Sequence, residues 1–199
     1  MITKVSVAIE RELRHCDAFY ISVAFITEGG LAPLKQVLAE LRDKGIPGKI
    51  LTTSYLTFTE SKALKTLADL SNVEVRVYNS TDEGASGFHT KGYIFKEEEI
   101  YRFIVGSSNM TASAFSVNKE WNTKLVSTSD GELLKQMMTE FNALWNSEHT
   151  LAVKDFIEDY EVRYKLIKEQ KKNAAKEQMV DLQAYKLQPN KMQARFVSN

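Results

Sequence analysis

Over its first 78 residues the chain switches repeatedly between two hydrophobic periods, and that alternation restricts its fold more than any other feature. Val5, Ile9 and Leu13 recur every four residues, which predicts a short amphipathic helix over 4–14. Residues 18–26 (AFYISVAFI) are aromatic and β-branched, as in a strand covered on both faces, and Gly29-Gly30 follows them. Leu34, Val37, Leu38 and Leu41 mark a helix within 31–44 that stops at Gly45, and 48–53 reads as the next strand. Leu64, Leu67 and Leu70 predict a helix over 60–70, and Val73, Val75 and Val77 alternate as a strand over 73–78. Strands that alternate with helices imply a largely parallel sheet with helices on both faces.

The second half breaks this rhythm. Residues 79–87 (NSTDEGASG) are small and polar and read as a loop. Two strands, 89–95 and 100–105, flank the charged turn KEEE and form a hairpin. After Gly106 to Asn109 a short helical piece leads to a strand over 121–126, and Leu133, Leu134, Met137, Met138, Phe141, Leu144 and Trp145 stripe a helix over 130–145. A second long helix beyond Ser147 carries Val153, Phe156, Tyr160, Tyr164 and Ile167, and 168–178 loses the stripe and reads as a solvated linker. The expected organisation is an α/β sandwich domain over 1–150, with a mixed, mostly parallel sheet. A helical extension or linker over 151–185 and a short separate segment over 186–199 complete it.

With 26 basic and 26 acidic side chains the formal net charge is zero, so no global field draws the chain to nucleic acid or an anionic membrane. Binding to nucleic acid therefore requires a local patch. The single cysteine, Cys16, cannot close an internal disulfide, and no zinc-site spacing is present, which fits a reducing cytoplasm. The first 14 residues carry no signal-peptide h-region, and the apolar stretches are too short to span a bilayer, so a membrane partner is not expected.

The residues that suggest chemistry lie in the second half. His89 and Lys91 are two apart on an expected strand, so imidazole and ammonium share a face. A neutral imidazole can act as nucleophile or base at physiological pH, and a lysine beside it can neutralise phosphoryl oxygens. The same pair also suits a plain solvated strand face. Gly106-Ser107-Ser108-Asn109 follows the partner strand, where small residues let backbone approach an anion ahead of a helix N-terminus. Glu120, before Trp121, is placed to accept a hydrogen bond from the His89 ring and fix its tautomer.

Taken together, FHTKGYIF and IVGSSNMTASAFSVNKEW resemble the phospholipase D superfamily signature of H-x-K, then G-S-x-N, then N-x-E. The acidic residue that the family usually places five after its lysine is Lys96 here. The segments AFITEGGL, LTTSYLTFTE and FHTKGYIF also resemble the phospholipase D-like domain that precedes superfamily II helicases and related restriction enzymes in bacteria. LQPNKMQARF then resembles the entry to a helicase core, with Gln193 as an adenine-sensing residue.

The resemblance implies a metal-independent nuclease without a cofactor, ATP and Mg being needed only if a helicase core follows residue 199. It also implies a homodimer, because the superfamily uses two H-x-K motifs and this chain has one. His15 and His149 have no lysine two residues on and read as helix-end or surface histidines. His89 of one chain would attack phosphorus while His89 of the other protonates the leaving oxygen. Lys91 and Asn109 would hold the non-bridging oxygens with help from Ser107, and the substrate would be DNA. Tyr55 and Thr59, after the second strand, and Ser108 are further candidates for contact with substrate, although Thr59 also suits capping of the next helix. Two other readings share this site: a phospholipase D-like DNA-binding or dimerisation module without activity, and a lipid phosphodiesterase.

Overall fold

The alternation in the first 78 residues produces the three strands at the heart of a seven-stranded sheet. The computed structural model describes residues 4–184, with side chains through residue 174. Its strands are β1 (Ala18–Val23), β2 (Gly48–Thr53), β3 (Val73–Tyr78), β4 (Lys91–Glu97), β5 (Ile100–Gly106), β6 (Asn122–Thr128) and β7 (Thr150–Ala152), in the order β6-β5-β4-β1-β2-β3-β7. Only β1–β2 and β2–β3 pair in parallel. The pairs β1–β4, β4–β5, β5–β6 and β3–β7 are antiparallel. The sheet is therefore mixed, with its parallel part confined to the α/β alternation and the remainder built by hairpins, which need no crossover helix.

Helices cover both faces, as the strand–helix alternation implied. The helices α1 (Val5–Leu13), α3 (Lys35–Asp43) and α4 (Ser61–Ala68) bury the predicted Ile9, Leu13, Val37, Leu41, Leu64 and Leu67. The alternating Phe19, Ile21, Val23, Ile50, Val75 and Val77 are buried with them. Helix α5 (Glu132–Trp145) covers the other face, where Phe141 and Trp145 pack with Leu51 and Tyr78, and Leu134 packs with Ile94 and Phe103. Each such large side chain contributes about 1.5–3 kcal/mol on burial. Glu12, mostly buried, sits 2.5 Å from Lys124 and 3.7 Å from Arg102, which ties α1 to β5 and β6.

Two elements depart from expectation. The helix expected over 31–44 is broken into α2 (Glu28–Leu31), a tight turn over Ala32–Leu34, and α3, because Pro33 has no amide proton to continue the ladder. Strand β7 was not predicted, since three residues are too short to show a period of two. The chain divides into two compact units, Met1–Glu161 and Val162–Asn199. Helix α6 (Val153–Ala184) begins in the first, and 168–178, expected as a linker, is helical. In the second unit Lys168 lies 5.6 Å over the ring of Tyr164. The segment 186–199 with Gln193 lies outside the described residues.

The topology brings several strand ends together. Val23, the last residue of β1, pairs with Lys91, the first of β4, and Gly92 pairs with Val105 near the end of β5. The carboxyl ends of β1, β2 and β5 and the amino end of β4 thus meet at one edge of the sheet. This is where open α/β sheets bind ligands.

Candidate active site

His89 precedes β4 by two residues rather than lying within it, and its segment is held to β1 from the backbone. Ala24 N donates to Thr90 O at 3.0 Å, and Thr90 Oγ1 is 2.6 Å from Ser22 Oγ. The intervening threonine is thereby turned into the protein, which sends its two neighbours outward. The His89 ring is exposed, and Lys91 Nζ donates to the His89 carbonyl at 2.9 Å and lies 3.5 Å from Nδ1. The two side chains read from the sequence as a pair do meet. Burial pushes the Lys91 ammonium below its ordinary value, and the Glu120 carboxylate partly opposes that shift.

Ser107, Asn109 and Glu120 gather at the adjoining ends of β5 and β6. Ser107 Oγ donates to the Glu120 carboxylate and accepts from Trp121 N at 3.0 Å, and Ser107 N donates to Trp121 O at 3.0 Å. Asn118 Nδ2 donates to Glu120 at 3.2 Å. Asn109 Oδ1 accepts from Phe25 N at 3.1 Å, which fixes the amide plane and leaves its NH₂ group as a donor. Phe25, Asn109, Thr111, Asn118 and Glu120 line an open cleft of about 650 Å³.

Several expectations are corrected by this geometry. Among the described contacts Glu120 does not bond His89; its carboxylate is taken by Ser107 and Asn118, so it positions the serine and supplies negative charge near Lys91. Thr59 does not face substrate: it is fully buried, with its hydroxyl on Thr52 and the carbonyls of Ala24 and Thr53. It does not cap α4 either, since Glu60 holds that position. Ser108 is likewise fully buried, accepting from Asn122 at 2.9 Å while its carbonyl receives the Tyr93 hydroxyl, so substrate cannot reach it. The short helical piece expected after Asn109 is present over Ser113–Val117, ahead of β6.

Tyr55 does reach the site, its ring centroid 6.2 Å from that of His89. Phe25, absent from the H-x-K, G-S-x-N and N-x-E motifs, lies at the same ring distance from His89 and also holds Asn109. Its signal is its place two residues past the carboxyl end of β1, where site loops begin. Among the described contacts neither of the other two histidines touches His89 or Lys91, although His149 lies beside the carboxyl end of β3 and is not the surface residue expected. His15 bonds Arg11 O at 2.8 Å near the end of α1, and His149 is mostly buried against Tyr78 and Asp82. Lys96 occupies the far end of β4, about 17 Å from Lys91 along the strand.

A family model described as cardiolipin synthase, PLD-like domain, matches residues 15–145, more than half of the chain. The chain belongs to this phospholipase D-like family. Its fold is similar to that of Nuc, a phospholipase D family member from Salmonella typhimurium, at 17% identity and a TM-score of 0.56, covering 73% of this chain and 88% of that one. NucT from Helicobacter pylori gives 16% identity and a TM-score of 0.56, covering 74% and 91%. The phosphatidylserine synthase of Haemophilus influenzae Rd KW20 gives 16% identity and a TM-score of 0.58, covering 88% of this chain but 44% of that one. No curated protein matches the chain. Among the described residues no helix is long and apolar enough to cross a membrane.

The depressed Lys91 carries a testable pH dependence. A lysine can neutralise phosphate only in its cationic form, and for Lys91 that form is lost as pH rises through a value below the ordinary 10.5. Turnover of a phosphodiester is expected to fall on the alkaline side before pH 10.5, and Lys91→Arg should move that limb upward. A limb unmoved by Lys91→Arg would assign it to another group.

Proposed function

We propose that the chain is a metal-independent phosphodiesterase that cleaves nucleic acid, most readily DNA, through a phosphohistidine in a homodimer. The observation that carries this reading is the adjacency of an exposed His89 imidazole and the half-buried Lys91 ammonium at a sheet edge that also presents Ser107 and Asn109. His89 attacks phosphorus and the P–O bond to the leaving nucleoside breaks. The second His89, across a two-fold axis, gives that oxygen its proton. Water, deprotonated by the same second ring, then cleaves the P–N bond and releases His89. Lys91 and the Asn109 NH₂ group hold the non-bridging oxygens as negative charge builds, and Glu120 holds Ser107 in place.

Loss of activity through Lys96 is disfavoured by its position: at the far end of β4 it touches none of these groups. The lipid reading has a fold neighbour in the phosphatidylserine synthase, and that likeness speaks for fold only. A place at the amino-terminal end of a helicase or restriction protein in the cytoplasm rests on the resemblance alone and is tested by reading the coding frame past Asn199.

The test is to trap the intermediate. Brief incubation with an oligonucleotide labelled throughout, in EDTA, then an alkaline quench, should leave label on the protein at His89 and none on His89→Ala. The acid lability of that label would mark a phosphoramidate. Sedimentation should show two chains per particle. Label at another residue, or cleavage only with added divalent metal, would overturn the proposal, and turnover of phospholipid vesicles without DNA cleavage would favour the lipid reading.

A further inference from the structure

We propose that Tyr55 is a stacking platform for an unpaired nucleobase next to the scissile phosphate, which makes single-stranded nucleic acid the preferred substrate. This deepens the phosphodiesterase reading and rests on it for the identity of the reacting centre. Tyr55 leaves β2 directly after Ser54 and is 42% exposed, although an aromatic ring of its size gains about 2–3 kcal/mol from burial. Its ring stands 6.2 Å from the His89 ring at 63°, so a flat group laid on Tyr55 lies beside whatever phosphate His89 meets.

The loop that presents this ring is built to hold it there. Leu56 and Thr57 both take left-handed backbone angles, φ 48° and 55°, a conformation costly for side chains branched or bulky at this position. Both ends are anchored by buried polar groups. Ser54 N donates to Tyr78 O and Ser54 Oγ to Asn79, while Tyr55 N donates to Thr53 Oγ1. On the far side the buried Thr59 hydroxyl donates to Thr53 O, and its carbonyl receives the Tyr160 hydroxyl at 2.7 Å. The chain thus accepts backbone strain in a fixed loop, and what the strain secures is an exposed phenol ring at the rim of the site.

An aromatic face next to an imidazole that itself adjoins a lysine suits recognition of single strands without reading sequence, since every base has a face and only an unpaired one can leave its stack.

Binding tests this separately from turnover. In a His89→Asn background, which stops cleavage and keeps a planar side chain beside Tyr55, a fluorescent oligothymidylate should bind about tenfold more tightly than an abasic oligomer of equal length. Tyr55→Ala should bring the ratio close to one without weakening the abasic oligomer, and Tyr55→Phe should keep it. With His89 intact, Tyr55→Ala should raise KM for single-stranded DNA and leave kcat within about threefold. A background protein that shows no preference for bases, or a preference that survives Tyr55→Ala, overturns the proposal. A preference that depends on Tyr55 in a protein whose parent cuts no DNA would instead sink the phosphodiesterase reading and leave the stacking site standing.

Discussion

Replacing His89 by alanine is expected to slow cleavage of single- and double-stranded DNA in EDTA by at least about 10³-fold, the scale on which loss of a nucleophile acts. The fold should be indifferent to the change. His89 is exposed, lies outside β4, and touches the protein through two ring edges and the flexible Lys91. Surface changes of this kind shift stability by about 0.5 kcal/mol or less. The unfolding midpoint should therefore stay where it is while the rate collapses, which separates chemistry from structure in one comparison. Lys91→Ala should lose less, about 10²-fold to 10³-fold, as expected when one donor to a developing anion is removed. Equal rates for the parent and His89→Ala would remove the phosphohistidine mechanism altogether.

The sequence made the fold legible where burial imposes a period. Val73, Val75 and Val77 gave β3 to the residue, and Ile9 with Leu13 gave the buried stripe of α1. It failed where geometry depends on partners far along the chain. Three residues of β7 carry no period, and beyond the expected β4–β5 hairpin nothing local showed that β4 would join β1, or β6 join β5, antiparallel. The site divides in the same way. His89 with Lys91, and Ser107 with Asn109, could be read because neighbours in sequence stay neighbours in space. The partner of Glu120 could not be read, because Ser107 and Asn118 compete for its carboxylate at a distance set by the β5–β6 register. Thr59 and Ser108 look like polar loop residues in one dimension, and only the packing of β1 and β2 beneath them, or of Tyr93 and Asn122, shows that their hydroxyl and carbonyl groups are already engaged.

Gly106→Ala should cost about 2–3 kcal/mol of folding stability, or about 4–12 °C in Tm for a chain of this size, and should reduce turnover as well. Gly106 closes β5 opposite Asn122, and a Cβ there would lie 2.0 Å from the Trp121 carbonyl oxygen and 2.7 Å from Asn122 Cα. Both atoms are backbone, so no side-chain rotation relieves the contact and the strands must part. The same carbonyl accepts from Ser107 N, and Trp121 N donates to Ser107 Oγ, so parting the strands releases the serine that Glu120 holds. β6 is an edge strand and can move outward, which limits the loss to its own pairing and spares the core under α5. Gly87→Ala is the matched control: it lies in the loop before His89, nothing stands within 4 Å of its added carbon, and it should change stability by about 0.5 kcal/mol or less. Urea unfolding of the two variants beside the parent decides the matter. If Gly106→Ala proves as stable as Gly87→Ala, then the β5–β6 end is loose enough to absorb a methyl group. A Ser107–Glu120 arrangement so weakly braced could not be what holds the phosphate cradle in shape.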